Sequence, residues 1–152
     1  MTPEQVKMVQ ESFKKVVPIA DTAANIFYDR LFTIAPEVRS MFPDDLTEQK
    51  KKLVAMLATA VTNLHQVEKI IPAVQDLGKR HVGYGVTDKH YEPVGAALLW
   101  TLEKGLGPDF TPTLKSAWTD AYMTLAGVMK SAAATVPAPN VEKKGMFGRM
   151  FG

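Results

Sequence analysis

The chain has 152 residues, of which 46% are hydrophobic and 22% are charged, values that fit one globular domain with a single core. Its net charge of +2 at pH 7 comes from residues 137–152, so the preceding body is neutral and nucleic acid is not an expected partner. The absence of cysteine excludes disulfides, a thiolate metal ligand and a thioether-linked cofactor, and the absence of a signal peptide or long apolar run leads us to expect a cytoplasmic protein.

Helical periodicity begins at the N-terminus and continues through the chain. Thr2 is a predicted helix cap, and Gln5 completes its capping box. A second helix is predicted over residues 19–34. Prolines bracket the next segment, Glu37–Phe42, which is too short for more than one or two helical turns.

The second half of the chain shows the same pattern. We expect the acidic pair at 44–45 to begin a long third helix, and Gly83 and Gly85 to end the fourth. Asp88 is predicted to cap the fifth helix, and Thr111, followed by proline, to begin the last. No alternating strand pattern occurs, so the sequence predicts an all-α domain.

The domain is predicted to end at residue 136, and residues 137–152 are interpreted as a mobile tail rich in proline and glycine. The tail also carries two Met-Phe pairs beside three cationic side chains. Such a segment could contact an anionic membrane surface or a groove on a partner protein, although a solvated tail explains the same composition.

The predicted fourth helix has a histidine at the end of an apolar face. Ile70, Val74, Leu77 and His81 are spaced by four, three and four residues, which places them on one face. Imidazole is the commonest metal ligand, but a histidine on an apolar face is more often a core residue. The spacing alone leaves both interpretations open.

The short corner between the second and third helices distinguishes two helical architectures. A bundle of long antiparallel helices does not need it. Helices that cross at about 50° do need such corners, and they leave a cleft between them. We therefore expect crossed helices with a pocket.

Six short motifs occur in a specific order and spacing. They are Phe27–Phe32, Pro36–Phe42, Gln49 followed by Leu53, Leu77–His81, His90–Gly95 and Ala117–Tyr122. In these motifs the chain resembles the globin family, and in particular single-domain bacterial globins related to flavohaemoglobins. The resemblance extends from Gln5 to about Ala134.

This resemblance implies a globin fold, a three-on-three helical sandwich, that binds haem b (iron protoporphyrin IX). His81 matches the proximal histidine that ligates the haem iron. Phe42 matches the phenylalanine that packs flat on the haem. Tyr28 and Gln49 match the two polar positions that face the bound ligand, and Leu53 matches the apolar residue over the iron.

Further positions complete the expected haem pocket. Leu77, Tyr91 and Val94 match pocket residues on the proximal side. Lys52 lies three residues after Gln49, and Arg80 precedes the histidine, so either cation could pair with a haem propionate. A solvated surface position is the alternative for both.

The pocket residues lead to an expectation about gas binding. Bound oxygen carries partial negative charge on its outer atom, and the Tyr28 hydroxyl and Gln49 amide are both donors. Each such bond is worth roughly 1–3 kcal/mol in a dry site, so two would slow oxygen loss by roughly two to three orders of magnitude. Carbon monoxide is less polar and gains less. We expect high oxygen affinity and slow release.

Two other functions stay open. The first is a nitric-oxide dioxygenase that uses the same residues and is re-reduced by a separate reductase, since the sequence shows no reductase domain. The second is a sensor or interaction module on a globin scaffold, for which the tail is the only support.

The last helix departs from the flavohaemoglobin pattern. Tyr122 matches a tyrosine that hydrogen-bonds the proximal imidazole in that branch, but the accompanying glutamate would fall near Ala133. Without a charged acceptor the imidazole is less electron-donating, which favours reversible binding over O–O cleavage.

Overall fold

The computed structural model describes residues 1–83 and 87–135, and this part of the chain is helical with no strand. The helices are α1 (Pro3–Val16), α2 (Ala20–Ile34), α3 (Thr47–Thr62), α4 (Ile71–Gly83), α5 (Tyr91–Leu106) and α6 (Pro112–Ala133). Short 3-10 turns form the corners at Val17–Ile19, Pro36–Met41, Leu64–Lys69, Asp88–His90 and Gly107–Asp109. The predicted tail, residues 137–152, lies outside the described residues, and so does Gly85.

The helices pack around one core. The most extensive contacts are between α4 and α6 and between α2 and α5, followed by those between α1 and α6. This arrangement confirms the predicted all-α fold. Within the described ranges, no helix has the length and apolar character needed to cross a bilayer.

Two helix starts follow the predicted capping chemistry. The Thr2 hydroxyl accepts a hydrogen bond from the Gln5 amide nitrogen at 3.1 Å, and the Gln5 side chain accepts one from the Thr2 nitrogen at 2.9 Å. The Thr111 hydroxyl accepts from the Leu114 nitrogen at 3.1 Å and caps α6. These caps satisfy backbone groups that the helices leave without partners.

Two predicted helix starts were wrong. The pair at 44–45 does not begin α3, because the Asp45 carboxylate accepts hydrogen bonds from the backbone nitrogen and hydroxyl of Thr47 at 2.9 and 2.7 Å. This local turn competes with the helix and delays its start to Thr47. Similarly, Asp88 lies in a 3-10 turn, and α5 begins only at Tyr91.

Helix α4 approaches α6 closely because of a glycine. A Cβ added at Gly78 would lie 2.5 Å from the Met129 carbonyl oxygen and 2.7 Å from its Cα. No side chain fits there without separation of the two helices. Gly78 therefore sets the distance between α4 and α6 at a point one turn before His81.

A buried hydrogen-bond chain joins α1 to α6. The Trp118 indole nitrogen donates to the Ser12 hydroxyl at 2.9 Å, and that hydroxyl donates to the Val9 carbonyl at 2.9 Å. All three residues are buried, so the polar atoms are satisfied within the core.

Candidate functional site

His81 lies in the last turn of α4, is only 3% exposed, and lines a cavity of about 120 Å³. Its Nδ1 is 2.7 Å from the Leu77 carbonyl oxygen. Because a carbonyl can only accept, Nδ1 carries the proton and Nε2 carries the lone pair. Burial lowers the pKa of His81 to about 4, with the Leu77 hydrogen bond opposing this and the Arg80 charge adding to it. The imidazole is therefore neutral at pH 7, the form that binds metals.

The cavity lies between α3, α4, α5 and α6. Four predicted pocket residues, Leu53, Leu77, Tyr91 and Val94, line it together with His81. Its walls are almost wholly apolar, and the further lining residues include Met56, Leu57, Val74, Leu98, Leu125 and Met129. Sequence reasoning missed Met129, although its spacing of seven from Tyr122 could have shown that it shares that face of α6.

Tyr28 and Gln49 form a buried polar pair beside the cavity. Each is 1% exposed, and neither is among the cavity-lining residues. Their chain neighbours do line it, namely Phe27 beside Tyr28 and Leu53 one turn after Gln49. The Tyr28 hydroxyl and both polar atoms of the Gln49 amide are buried without a hydrogen-bond partner in the described part of the chain.

The protonation of Tyr28 follows from its surroundings. Burial raises the pKa of its hydroxyl, and the neighbouring Gln49 amide opposes this rise, although no hydrogen bond of good geometry joins the two. The phenol therefore keeps its proton at neutral pH and is a donor. Leaving such a group unpaired costs about 1–3 kcal/mol, so these side chains fit a site that receives a polar ligand atom.

Phe42 belongs to an aromatic cluster with Tyr28. It is 6% exposed, and its ring centroid lies 5.6 Å from that of Tyr28 and 5.5 Å from that of Phe32, both in edge-on contacts. Phe42 does not line the cavity. The cluster fixes the Tyr28 ring from one side through well-defined aromatic contacts.

The two predicted propionate partners lie outside the cavity wall. Lys52 is half-buried on α3 beside Leu53, and Arg80 is exposed on α4 and forms an ion pair with Asp76 at 3.2 Å. An exposed ion pair of this kind contributes little to stability. The roles of both cations stay predictions.

Tyr122 does not make the contact that the resemblance implied. Its hydroxyl donates to the Tyr91 carbonyl at 2.6 Å, and no hydrogen bond to His81 joins the two described side chains. The ring lies against Gly95, where an added Cβ would be 2.7 Å from Tyr122 Cε2. Because the Tyr122 ring packs closely on Gly95 of α5, its hydroxyl donates to the carbonyl of Tyr91, one helical turn before Gly95.

The imidazole has a neutral acceptor in this structure. The Leu77 carbonyl accepts the hydrogen bond from Nδ1–H. Ala133 lies near the position at which the resemblance to flavohaemoglobins implied an acid. In the described part of the chain, no group of three or more His, Cys, Asp or Glu could hold a metal ion. A metal at this site would depend on His81 and on a ligand set supplied by a cofactor.

The chain is similar in sequence to known globins and flavohaemoproteins. The model of the globin family matches residues 25–129. The chain is 35% identical to a flavohaemoprotein of Bacillus subtilis (strain 168) over 76% of its length, but it spans only 31% of that relative. It is 30% identical to an anaerobic nitrite reductase of Oryza sativa subsp. indica, covering 83% of this chain and 91% of the relative.

Solved structures show the same fold. An engineered carbene transferase built on a proposed nitric oxide dioxygenase from Rhodothermus marinus has a TM-score of 0.80 and 26% identity, covering 89% of this chain and 94% of that one. A bacterial globin from Campylobacter jejuni has a TM-score of 0.74 and 30% identity, covering 88% and 97%. The family model, the curated relatives and the shared fold agree. The chain therefore belongs to the globin family, and membership of this family implies that it binds haem.

Proposed function

We propose that this globin holds haem b in the cavity beside His81 and binds oxygen reversibly, with high affinity and slow release. The observation that carries the proposal is the buried Tyr28 and Gln49 pair, whose polar atoms lack partners in the described chain. When bound, the haem would supply a ferrous iron that takes up diatomic gases, including carbon monoxide and nitric oxide.

His81 provides the proximal side of the proposed site. Its neutral imidazole presents the Nε2 lone pair, and the Leu77 carbonyl holds the Nδ1 proton and so fixes the orientation of the ring. Because the acceptor is a neutral carbonyl, the imidazole donates less charge than one paired with a carboxylate. This favours reversible gas binding over O–O bond cleavage.

Tyr28 and Gln49 provide the distal side. The Tyr28 phenol is protonated, and the Gln49 amide offers two further N–H donors. Their burial excludes competing water, so each hydrogen bond to a polar gas ligand is worth roughly 1–3 kcal/mol. Removing the Gln49 donor alone, in Gln49→Leu, is expected to speed oxygen release by roughly 5- to 150-fold.

A nitric-oxide dioxygenase is the alternative function. The similarity to a flavohaemoprotein and to the Rhodothermus marinus protein supports it. Each nitrate formed would consume one nitric oxide, one oxygen molecule and one electron, so turnover requires a reductase that supplies the electron. A sensor role is the remaining alternative, but its support, the tail, lies outside the described residues.

The visible spectrum of the purified protein tests the primary proposal. Ferric, reduced, oxygenated and carbon-monoxide forms should each give a distinct haem spectrum. A colourless protein that takes up no added haem would overturn the proposal. Steady-state nitric-oxide consumption with a reductase separates the alternatives, since negligible turnover excludes the dioxygenase.

A further inference from the structure

The corner that carries Phe42 is bound by one arginine. Arg39 Nη1 donates to the Phe42 carbonyl at 3.3 Å and to the Pro43 carbonyl at 3.0 Å, and Nη2 donates to the Asp44 carbonyl at 3.2 Å. The Phe42 backbone nitrogen returns a hydrogen bond to the Arg39 carbonyl at 3.2 Å. A single side chain therefore ties three successive residues to the preceding turn.

The same guanidinium contacts the aromatic cluster. Its central carbon lies 5.0 Å from the centre of the Phe32 ring, within the range of a cation–π contact. Phe32 packs on both Phe42 and Tyr28, with ring centroids 5.5 and 5.9 Å away. Arg39 thus touches the backbone that carries Phe42 and one face of the ring that abuts Tyr28.

Arginine chemistry suits this position. Arg39 is half-buried, and no carboxylate lies within salt-bridge distance of it among the described residues. Its planar fork can reach several carbonyls at once, whereas a lysine is a point charge that cannot span them. The guanidinium of Arg39 thus binds neutral backbone carbonyls and not a carboxylate, so the contact differs from a surface ion pair.

We infer that Arg39 is a positioning residue that holds residues 42–44 and the Phe32 ring, and thereby fixes the Tyr28 hydroxyl where it meets the gas ligand. This inference rests on the proposed function. Without the clamp, that is, the three hydrogen bonds from Arg39 to residues 42–44, the backbone of the corner becomes more mobile and Phe42 loses its fixed edge contact with Tyr28. The Tyr28 hydroxyl then samples orientations that do not meet the ligand.

Hydrogen exchange and oxygen release together test the inference in the full chain. In Arg39→Met, amide exchange over residues 42–47 should accelerate roughly tenfold, both with and without haem. The oxygen dissociation rate should rise at least about threefold, and the carbon-monoxide stretching band should broaden as the Tyr28 orientation spreads. Arg39→Lys should recover only part of each effect.

Arg30→Met is the matched control. Arg30 also lies over an aromatic ring, 4.0 Å from the centre of Trp100, but it donates to none of the corner carbonyls. It should leave exchange over 42–47 and oxygen release within about twofold of wild type. If Arg39→Met behaves like this control, or if exchange accelerates while oxygen release is unchanged, the inference is wrong.

The outcomes separate the inference from the proposed function. If wild type binds no haem, the function fails, and exchange in the haem-free protein still tests the clamp. If Tyr28→Phe alters oxygen release and the Arg39 variants do not, the function stands and the positioning role is refuted. If Arg39→Met does not fold, Arg39→Lys carries the same measurements with smaller expected changes.

Discussion

Replacing Tyr28 with phenylalanine should stabilise the haem-free fold and at the same time weaken the retention of oxygen by the haem-loaded protein. The substitution removes one hydroxyl and keeps the ring, so the contacts with Phe27, Phe32 and Phe42 remain. The lost hydroxyl is buried and has no partner in the described chain. Its removal takes away a desolvation penalty of about 1–3 kcal/mol from the haem-free fold.

The magnitudes follow from the same group. The free energy of unfolding of the haem-free Tyr28→Phe protein should equal or exceed that of wild type, by up to about 3 kcal/mol. In the haem-loaded protein the lost donor should speed oxygen dissociation by roughly 5- to 150-fold. A buried polar group kept at a cost to stability is a common sign of function.

Tyr122→Phe is the matched control, because that hydroxyl donates to the Tyr91 carbonyl at 2.6 Å. Its removal should lower the free energy of unfolding by about 0.5–1.5 kcal/mol. Urea unfolding of the haem-free proteins and stopped-flow oxygen displacement measure the two effects. The reasoning is refuted if Tyr28→Phe destabilises the fold as much as the control does, or if it leaves oxygen release unchanged.

Three further substitutions test the fold and the site. Gly78→Ala should push α4 away from α6 and lower the free energy of unfolding, measured by heat or urea, by about 1–3 kcal/mol. In the control Gly127→Ala the added Cβ meets nothing within 4 Å, so this change should be neutral or stabilising. Equal effects of the two substitutions would contradict the close crossing of α4 and α6. His81→Gly should abolish stable haem binding, and added imidazole should restore a haem spectrum if the side chain is a metal ligand. In a double-mutant cycle, Trp118→Phe and Ser12→Ala should couple by about 0.5–1.5 kcal/mol through their 2.9 Å hydrogen bond, and independent effects would count against it.

Local features of this chain could be predicted from the sequence. The capping box of Thr2 and Gln5 depends on residues within one turn, and the structure has it as predicted. Of the predicted apolar face, Val74, Leu77 and His81 share the cavity wall on α4, whereas Ile70 precedes the helix. The Asp45 turn was also local but was misjudged. Its carboxylate can cap a helix or close a turn with Thr47, and the sequence does not show which has the lower energy.

The candidate site was predicted from a resemblance, and its geometry was decided by packing. The sequence showed a histidine at position 81, two hydrogen-bond donors at Tyr28 and Gln49, and the apolar residues of the pocket wall. Only the tertiary structure shows that the Tyr28 hydroxyl has no hydrogen-bond partner among the described residues, that the Tyr122 hydroxyl donates to the Tyr91 carbonyl, and that Arg39 binds the carbonyls of the corner.

The reason is the range over which each interaction acts. Helix periodicity and caps are set by neighbours in the chain, so residue identities alone determine them. Whether a buried donor is satisfied depends on differences of about an ångström between segments far apart in sequence, such as α6 lying on Gly78 of α4. The sequence determined which polar groups the candidate site contains, and the packing of the helices decided which of them lack a hydrogen-bond partner among the described residues.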